Sequence, residues 1–346
     1  MRGLTVLFLL SGVLLCNVAA NAQADSSETV LPVTLFNDYL VFVHGSVGGF
    51  EKRTLLIDTG ANPTVITPEL AKKLHLSGYS EQLQAVGHNM NSQVVSLPSL
   101  RVGPIHAENL RVLVRDLSEF DRKFGLRVDA LVGLDVLAHH SFLIDYHQKK
   151  MIFGPVPLLP FAAPIRWTGY MACIDVNVNG QTTPLLLDTG AADVMLFSQR
   201  LSWLAKESGE LWATTNLAGH FSVRQVKLHS LEAAGSDLGP REVFVSDTEN
   251  TARYPYEGLL ALGSPRFRQI AFDFERQSFS WEPRKSRTNI LRAVQNGGTP
   301  RNSLALASTT DVKPSRVSGQ CIGDSAIGNP PSCDAPAAFA RQDGSR

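Results

Sequence analysis

Two aspartates in this chain carry the same three residues after them and an aliphatic run before them. Asp58 follows Leu55-Leu56-Ile57 and begins Asp-Thr-Gly-Ala, and Asp188 follows Leu185-Leu186-Leu187 and begins the same four residues. A carboxylate at the end of a buried strand is costly unless it has a partner. When two buried carboxyls share one proton, repulsion and desolvation separate their ionisations, so that one is a base and the other an acid. Asp58 and Asp188 are therefore our candidates for paired acid–base chemistry.

The second motif belongs to a longer internal repeat. Asp188 lies 130 residues after Asp58, and Val86-Gly87-His88 recurs as Ala218-Gly219-His220 at an offset of 132. Two apolar segments, 130–134 and 142–146, recur at an offset of 128 as 258–262 and 270–274. Ordered matches at a nearly constant offset predict an internal duplication of one folding unit.

Both copies consist of short β-type runs separated by Gly, Pro, Asn and Asp. The candidate strands are 40–43, 53–57, 93–97, 109–114 and 142–145 in the first copy, and 172–178, 183–187, 223–228, 242–245 and 270–274 in the second. Helical signal is confined to Pro68–Leu74, with Thr67 as N-cap. We therefore expect a mostly β fold built from two similar lobes.

Composition divides the 346 residues into five segments. We expect a signal peptide at 1–22, an N-terminal lobe at 30–153, a proline-rich linker at 154–166, a C-terminal lobe at 167–283 and a largely disordered tail at 284–346. Three prolines within residues 154–160 argue against regular structure there. The tail is rich in Arg, Ser, Asn, Gly and Pro and has few aliphatic clusters.

The N-terminus has the pattern of a secretory signal. Arg2 precedes an apolar stretch from Leu4 to Leu15, and a small-residue cleavage site follows at Ala20-Asn21-Ala22. Lipid attachment at Cys16 stays open, although Leu15 is not the small residue that usually precedes a lipid-modified cysteine. No later segment has the roughly 20 apolar residues of a membrane span. We expect an exported protein, periplasmic or extracellular, with no integral membrane segment after signal cleavage.

Charge and cysteine content limit the possible partners. The formal net charge is zero, and no basic run is interleaved with aromatic residues, which argues against a nucleic-acid partner. Cys173 lies in an apolar strand-like segment and is predicted to be a small buried residue rather than a reactive thiol. A disulfide between Cys321 and Cys333 is left open.

These motifs resemble the retropepsin-like aspartic peptidases in a fused, single-chain form. The resemblance spans about residues 33 to 283 and rests on the two Asp-Thr-Gly-Ala turns and on Leu131-Val132-Gly133. It implies two β lobes with the active site at their interface, where Asp58 and Asp188 hold a water. The ionised aspartate takes a proton from that water, and the protonated one hydrogen-bonds the scissile carbonyl. No metal, cofactor or covalent intermediate is implied.

The residues next to the aspartates have roles under the same resemblance. Thr59 and Thr189 are expected to hydrogen-bond across the lobe interface, and Gly60 and Gly190 to allow tight turns that bring amide groups to the carboxylates. Ala61 and Ala191 stand where many pepsin-like enzymes have Ser, whose hydroxyl favours the ionised carboxylate. Because Ala cannot donate, we expect a dyad less acidic than that of pepsin and activity extending towards neutral pH.

The Gly-His pairs fall where the resemblance places a hairpin that can cover the cleft. Val86, Gly87 and His88 are the candidates in the first lobe, and Gly219 and His220 are their counterparts in the second. A cover of this kind excludes water and orients a peptide. Solvated turn histidines are the alternative, whereas a metal site is disfavoured because no further His or Cys shares the spacing.

The second copy departs from the first at two positions. Ala261 stands where the first copy has Gly133, and Val194 stands where it has Thr64. The second carboxylate turn is therefore expected to pack differently.

The leading functional hypothesis is an aspartic endopeptidase that cleaves extended protein or peptide segments. The alternative is a non-catalytic peptide-binding protein on the same fold, which the retention of both aspartates disfavours. A homodimeric scaffold is the third possibility. With both aspartates in one chain, dimerisation is not required.

Overall fold

The computed structural model describes residues 28–284, apart from 240, 264 and 265, and this part of the chain is mostly β, as predicted. In the first half the strands are β1 (Thr29–Pro32), β2 (Thr34–Phe36), β3 (Leu40–Val47), β4 (Phe50–Ile57), β5 (Val65–Ile66), β6 (Gly78–Ala85), β7 (His88–Val102), β8 (Ile105–Val114), β9 (Ala130–Val132), β10 (Phe142–Asp145) and β11 (Lys150–Phe153).

In the second half the strands are β12 (Phe161–Pro164), β13 (Arg166–Thr168), β14 (Met171–Val178), β15 (Gln181–Asp188), β16 (Met195–Phe197), β17 (Glu210–Asn216), β18 (Gly219–Lys227), β19 (Leu231–Ala233), β20 (Ser236–Asp237), β21 (Glu242–Ser246), β22 (Gly258–Ala261), β23 (Phe267–Asp273) and β24 (Ser278–Pro283). The helices of the described residues are α1 (Pro68–Lys73), α2 (Ser118–Phe124), α3 (Leu134–Leu137) and two 3₁₀ turns at Ser202–Lys206 and Glu249–Arg253.

Each half contributes seven strands that follow the same spatial order. The order is β3-β4-β9-β5-β8-β7-β6 in the first sheet and β14-β15-β22-β16-β21-β18-β17 in the second. The parallel pairs also correspond, because β4–β9 and β5–β8 match β15–β22 and β16–β21. The strands that precede the two Asp-Thr-Gly-Ala motifs, β4 and β15, therefore occupy equivalent positions in their sheets.

A third sheet contains strands of both halves. Its order is β1-β11-β10-β23-β24-β12, so its central antiparallel pair joins β10 of the first half to β23 of the second. Phe142 lies opposite Phe272 in this pair, with ring centroids 4.9 Å apart. Trp281 and Phe153, which are 0% and 1% exposed, extend the same apolar layer. This sheet is the only place in the described chain where strands of the two halves pair.

Helix α1 begins as the sequence predicts. Thr67 Oγ1 accepts a hydrogen bond from Leu70 N at 3.4 Å, and Pro68 occupies the first position of the helix. Helices α2 and α3 were not predicted, because seven and four residues are too few to establish a helical period. Leu134–Leu137 also begins only two residues after the buried strand β9, with Gly133 between them, which hides the start of α3.

The connection between the halves has less irregular backbone than predicted. Within the expected linker, 154–166, residues 154–160 and Ile165 are free of strands, since β12 spans Phe161–Pro164 and β13 begins at Arg166. The prolines of the irregular part lie at 155, 157 and 160. Phe161–Pro164 can form a strand although it ends in a proline, because β12 lies at the edge of the shared sheet. Proline has no main-chain N–H to donate, and an edge strand tolerates this.

Several sequence predictions concern residues outside the described range. They are the signal peptide at 1–22 with Cys16, and nearly all of the expected tail with Cys321 and Cys333. Among the described residues, no helix is long and apolar enough to cross a membrane. Cys173 is fully buried there, and burial raises the pKa of its thiol to about 11.

Candidate active site

Asp58 and Asp188 lie at the ends of two buried strands, β4 and β15, each of which pairs in parallel with a neighbour in its own sheet. The residues Leu55, Leu56 and Ile57 are at most 1% exposed and pair with the parallel strand β9, after which Asp58 N donates to Val132 O at 3.0 Å. The second half repeats this arrangement, with Leu185–Leu187 equally buried and Asp188 opposite Ala261. Strands covered on both faces are continuous aliphatic runs, and this explains the apolar residues that precede each carboxyl.

The two Asp-Thr-Gly-Ala turns approach each other closely. A Cβ atom at Gly60 would collide with the Asp188 carboxyl, and a Cβ atom at Gly190 would lie 2.6 Å from Asp58 Cγ. Glycine is therefore required at both positions because each turn contacts the opposite carboxyl. Ala61 N donates to Asp58 O at 3.2 Å and closes the first turn.

Thr59 and Thr189 hydrogen-bond across the interface in a reciprocal pattern. Thr59 N donates to Thr189 Oγ1 at 3.0 Å, and Thr189 N donates to Thr59 Oγ1 at 3.1 Å. Each hydroxyl in turn donates to a main-chain oxygen of the other half, Thr59 to Leu187 O at 2.8 Å and Thr189 to Ile57 O at 2.9 Å. Both threonines are fully buried, so these four bonds fix the relative position of the two turns.

The Asp58 and Asp188 carboxyls lie close together, since each faces the glycine of the opposite turn. Asp188 is 8% exposed and Asp58 is half-buried. Burial raises the pKa of both carboxyls, and the neighbouring charge of Asp188 adds to the rise for Asp58, whose pKa lies well above its ordinary value. Such a pair holds one proton over a range of pH in which isolated carboxyls are both ionised.

The main-chain donors distinguish the two carboxyls. Asp188 Oδ1 accepts from Gly190 N at 2.8 Å and from Ala191 N at 3.0 Å, whereas Asp58 Oδ1 accepts from Gly60 N at 2.9 Å. Amide donors stabilise the ionised form of a carboxyl and lower its pKa. Asp188 is therefore the better supported carboxylate, and Asp58 is the better placed to keep the proton.

The first turn is supported by a hydroxyl and a carboxylate. Thr64 Oγ1 donates to Asp135 Oδ1 at 2.8 Å and accepts from Gly133 N at 3.0 Å. Thr64 N also donates to the Asp135 carboxyl, at 3.0 Å to both oxygens. Burial nevertheless raises the pKa of Asp135, because the loss of hydration outweighs the effect of these hydrogen bonds. This network links β5, the segment after β9 and α3.

The second turn is supported by different side chains, which explains the two departures in its sequence. Val194 is fully buried and has no hydroxyl to replace that of Thr64. Arg266 instead donates from Nη1 to Ala261 O at 3.2 Å and lies 3.7 Å from the Asp193 carboxylate. Its side chain is only 9% exposed, and burial lowers its pKa. Arg266 thus supports the second turn, whereas the Asp135 carboxylate supports the first.

The candidate cover residues lie in or directly after the turns of two hairpins, β6–β7 and β17–β18. Val86 and Gly87 form the first turn, between the paired residues Ala85 and His88, and Gly87 has a positive φ of 90° that favours glycine. The second turn is Leu217-Ala218, between Asn216 and Gly219.

The hairpin register differs by one residue from the match of the Gly-His pairs. The residue in β18 that corresponds to His88 is Gly219, and the counterpart of Val86 is Leu217, an offset of 131 rather than 132. Gly219 and His220 therefore lie in the second strand of their hairpin rather than in its turn. The repeated dipeptide gives no indication of Leu217. Its equivalence to Val86 follows only from strand pairing.

The two hairpin tips contact each other. His88 Nε2 donates to His220 O at 2.7 Å, because a carbonyl oxygen can only accept, and the His88 ring meets Phe221 edge-on with centroids 6.3 Å apart. Asn216 Nδ2 donates to Val86 O at 2.6 Å. Both histidine rings are exposed, yet these contacts tie the first tip to the second.

Each tip is also held by the opposite half of the chain. Asn250 Nδ2 donates to Ala85 O at 2.7 Å, and Gln84 Nε2 donates to Asn250 O at 2.6 Å. Arg115 Nη2 donates to Leu217 O at 2.7 Å. Asn250 and Arg115 carried no sequence signal, because their partners lie more than 100 residues away in the chain.

The described residues contain no group of three or more His, Cys, Asp or Glu side chains that could hold a metal ion. The arrangement brings two carboxyls with raised pKa values together between two turns that are hydrogen-bonded to each other. Such a pair can activate a water and polarise a carbonyl at the same time.

Comparison with known proteins gives one family match. Residues 43–136, which include Asp58, match the family model described as aspartyl protease. No curated protein matches the chain. A solved structure described as a retropepsin-like aspartic protease from Rickettsia conorii is 20% identical, covers 37% of this chain and 89% of its own, and superposes with a TM-score of 0.26. Over residues 43–136, the family match confirms the predicted resemblance to aspartic peptidases.

Proposed function

We propose that this chain is an aspartic endopeptidase that hydrolyses peptide bonds of extended protein segments at Asp58 and Asp188. The observation that carries the proposal is the close approach of the two Asp-Thr-Gly-Ala turns, which places each carboxyl against the opposite glycine and which the hydrogen bonds of Thr59 and Thr189 hold in place. A pair of buried carboxyls with raised pKa values is unfavourable for stability. Its presence at the junction of two equivalent strands is explained if the pair performs chemistry.

The donors around the pair suggest which carboxyl has which role. Asp188, as the carboxylate, takes a proton from a water, whose oxygen attacks the scissile carbonyl carbon. Asp58, as the acid, donates its proton towards the carbonyl oxygen and stabilises the charge that develops there. The tetrahedral intermediate then breaks its C–N bond as the amine nitrogen receives a proton from the pair. One water is consumed, and an acid and an amine are released.

The pH range of activity is part of the proposal. Ala61 and Ala191 bring no hydroxyl to the carboxyls, and burial raises both aspartate pKa values. The pH–rate profile is therefore expected to extend towards neutral pH, and a maximum well below pH 4 contradicts this part of the proposal.

Conservative substitution tests the role of the pair. Asp58→Asn and Asp188→Asn keep the shape of the side chain and are each expected to lower kcat for an internally quenched peptide library by at least about 100-fold. Asp273→Asn is the matched control, since that carboxylate accepts from Arg276 N at 2.9 Å in a turn of the shared sheet. Residual turnover in both dyad variants at the level of the control places the chemistry elsewhere. Peptide binding without turnover by the unsubstituted chain supports the non-catalytic alternative.

The place of action is a proposal from the sequence. Residues 1–22 suggest export, so that the substrates are proteins of the cell envelope or the surroundings. Recovery of the chain from the envelope or medium with its N-terminus near residue 23 tests this, and full-length protein found only in the cytoplasm contradicts it.

A further inference from the structure

Helix α3 binds the main-chain oxygens of the segment that follows strand β9. Gly133 O accepts from Leu137 N at 3.0 Å, and Leu134 O accepts from Ala138 N at 3.0 Å. This segment also contacts the first Asp-Thr-Gly-Ala turn, because Leu134 N donates to Ala61 O at 2.8 Å. The first turn is therefore attached to a segment whose carbonyl groups are bound by the amides of a helix.

The equivalent segment of the second half has no such helix. Ala261 and Leu262 stand at the repeat positions of Gly133 and Leu134, at an offset of 128. Among the described residues, which leave out 264 and 265, no helix lies between β22 and β23. Ala261 and Leu262 are both fully buried, so their main-chain oxygens need donors from elsewhere in the protein.

Two side chains supply these donors, and one of them comes from the first half. Arg266 Nη1 donates to Ala261 O at 3.2 Å. The Tyr146 hydroxyl donates to Leu262 O, although Tyr146 follows β10 and lies 116 residues earlier in the chain. Burial raises the pKa of Tyr146, so the hydroxyl keeps its proton and remains a donor. The first half thus contributes a hydrogen bond that the second half does not make for itself.

Hydrogen bonds connect Tyr146 to Asp188 through a single residue. Leu262 O accepts from the Tyr146 hydroxyl, and Leu262 N donates to Asp188 O at 2.9 Å. Tyr146 is itself fixed to the second half by its main chain, since Tyr146 N donates to Arg268 O at 3.1 Å. Leu262 is therefore held between the hydroxyl and the aspartate, and a shift of Leu262 shifts the main chain of Asp188.

The repeat counterpart of Tyr146 shows that its ring alone is enough for packing. Phe274 stands at the offset of 128 and has no hydroxyl. Its ring packs on Phe142 and Phe272 of the shared sheet, with centroids 6.0 and 5.6 Å away. A hydroxyl there is not needed for Leu134 O, which α3 already binds. The chain thus has a tyrosine on the side where a buried carbonyl requires a donor.

We propose that Tyr146 is a positioning residue for Asp188, supplied by the first half of the chain to the second turn. This inference rests on the proposed peptidase function. By holding Leu262, the hydroxyl keeps the Asp188 carboxylate aligned with Gly190 N and Ala191 N, which donate to its Oδ1 at 2.8 and 3.0 Å. A small displacement of a reacting group lowers the rate strongly. The first half therefore contributes Tyr146 to the reaction as well as Asp58.

Removal of the hydroxyl tests the role of Tyr146 in catalysis. Tyr146→Phe keeps the ring and is expected to lower kcat for an internally quenched peptide by at least about tenfold, while KM changes by less than about twofold. Tyr79→Phe makes the same chemical change at a position 58% exposed and is expected to leave kcat unchanged. A kcat of Tyr146→Phe within about twofold of the unsubstituted chain overturns the inference, and so does a rise in KM at constant kcat.

A second variant separates positioning from a general loss of stability. Phe279 is fully buried in the shared sheet, and Phe279→Leu weakens packing there without removing a hydrogen bond. Both variants are assayed at a temperature at which urea unfolding shows them to be folded. Phe279→Leu is expected to keep its kcat. An equal fall in kcat in Phe279→Leu and Tyr146→Phe overturns the inference.

Amide hydrogen exchange, followed by NMR, measures the positioning without turnover. In Tyr146→Phe the amides of Leu262, Gly190 and Ala191 are expected to exchange at least about threefold faster, whereas those of the first turn keep their rates. Equal changes in both turns, or no change in either, overturn the inference.

The two measurements together separate this inference from the proposed function. Faster exchange at the second turn, with no turnover by the unsubstituted chain, keeps the positioning of Asp188 by Tyr146 and removes the peptidase function. Turnover by the unsubstituted chain, with unchanged exchange and kcat in Tyr146→Phe, removes the positioning role and leaves the peptidase function.

Discussion

The reciprocal threonine contact predicts a specific loss of stability when one hydroxyl is removed. Thr59 Oγ1 accepts from Thr189 N and donates to Leu187 O, so Thr59→Val removes two hydrogen bonds while keeping the volume of the side chain. Both partners are then left in a fully buried region. A buried group without its partner costs about 1–3 kcal/mol. We therefore expect Thr59→Val to lower the free energy of unfolding by about 2–6 kcal/mol.

Thr59→Ser is the matched control because it keeps the hydroxyl and loses only a methyl group. Its expected cost is about 1 kcal/mol from lost apolar burial. Urea unfolding followed by tryptophan fluorescence gives both values, and an unchanged slope shows that the surface exposed on unfolding is the same. Thr189→Val is expected to match Thr59→Val, since it breaks the equivalent pair of bonds.

The reasoning is refuted if the Val and Ser variants of Thr59 unfold at the same urea concentration. That result would mean that water or neighbouring groups satisfy Thr189 N and Leu187 O without the hydroxyl. A low kcat in Thr59→Val with normal stability is also inconsistent with it, because the proposed role of the hydroxyl is to hold the two turns together.

Three further predictions concern the carboxyls and their supports. The raised pKa of Asp58 contributes stability that is complete below the unfolded pKa of about 4 and is lost as pH rises through the folded pKa. Asp58→Asn should therefore raise Tm relative to the unsubstituted chain at pH 7 and leave it unchanged at pH 3. Calorimetry that shows no such pH dependence contradicts this prediction. Thr64→Val removes the hydroxyl that Asp135 binds and should cost about 2–4 kcal/mol in urea unfolding, against about 1 kcal/mol or less for Thr64→Ser. Arg266→Met replaces a buried cation, 3.7 Å from the half-exposed Asp193 carboxylate, by an apolar chain and should leave the unfolding midpoint unchanged or higher; a loss above about 1 kcal/mol would show that the bond to the main chain dominates.

The sequence predicts those parts of the fold that depend on local pattern. The aliphatic runs before Asp58 and Asp188 become β4 and β15, and Thr67 begins α1, because burial, strand alternation and capping are local effects. The predicted difference between the halves at Val194 also appears in the structure as a different support. Arg266 could not be predicted as that support, because it is not at the repeat position of the carboxylate it replaces.

The contacts of the hairpin tips show where sequence reasoning fails. The repeated Gly-His dipeptide predicts Gly219 and His220 as the counterparts of Gly87 and His88, but the pairing of β17 with β18 aligns Gly219 with His88 and puts Leu217 in the turn. Dipeptide identity has no connection with strand register, which depends on every pair along the hairpin. Asn250 and Arg115 are ordinary polar residues in sequence, and only the approach of the opposite half makes them contacts of the turns.

The shared six-stranded sheet determines what a break of the main chain between residues 154 and 160 would do. β10 and β23 lie on opposite sides of such a break in sequence yet pair through four residue positions, and neither strand contains the broken segment. The threonine hydrogen bonds across the interface are likewise unaffected. A chain nicked there behaves as a noncovalent heterodimer, whose two fragments separate on dilution rather than at the moment of cleavage.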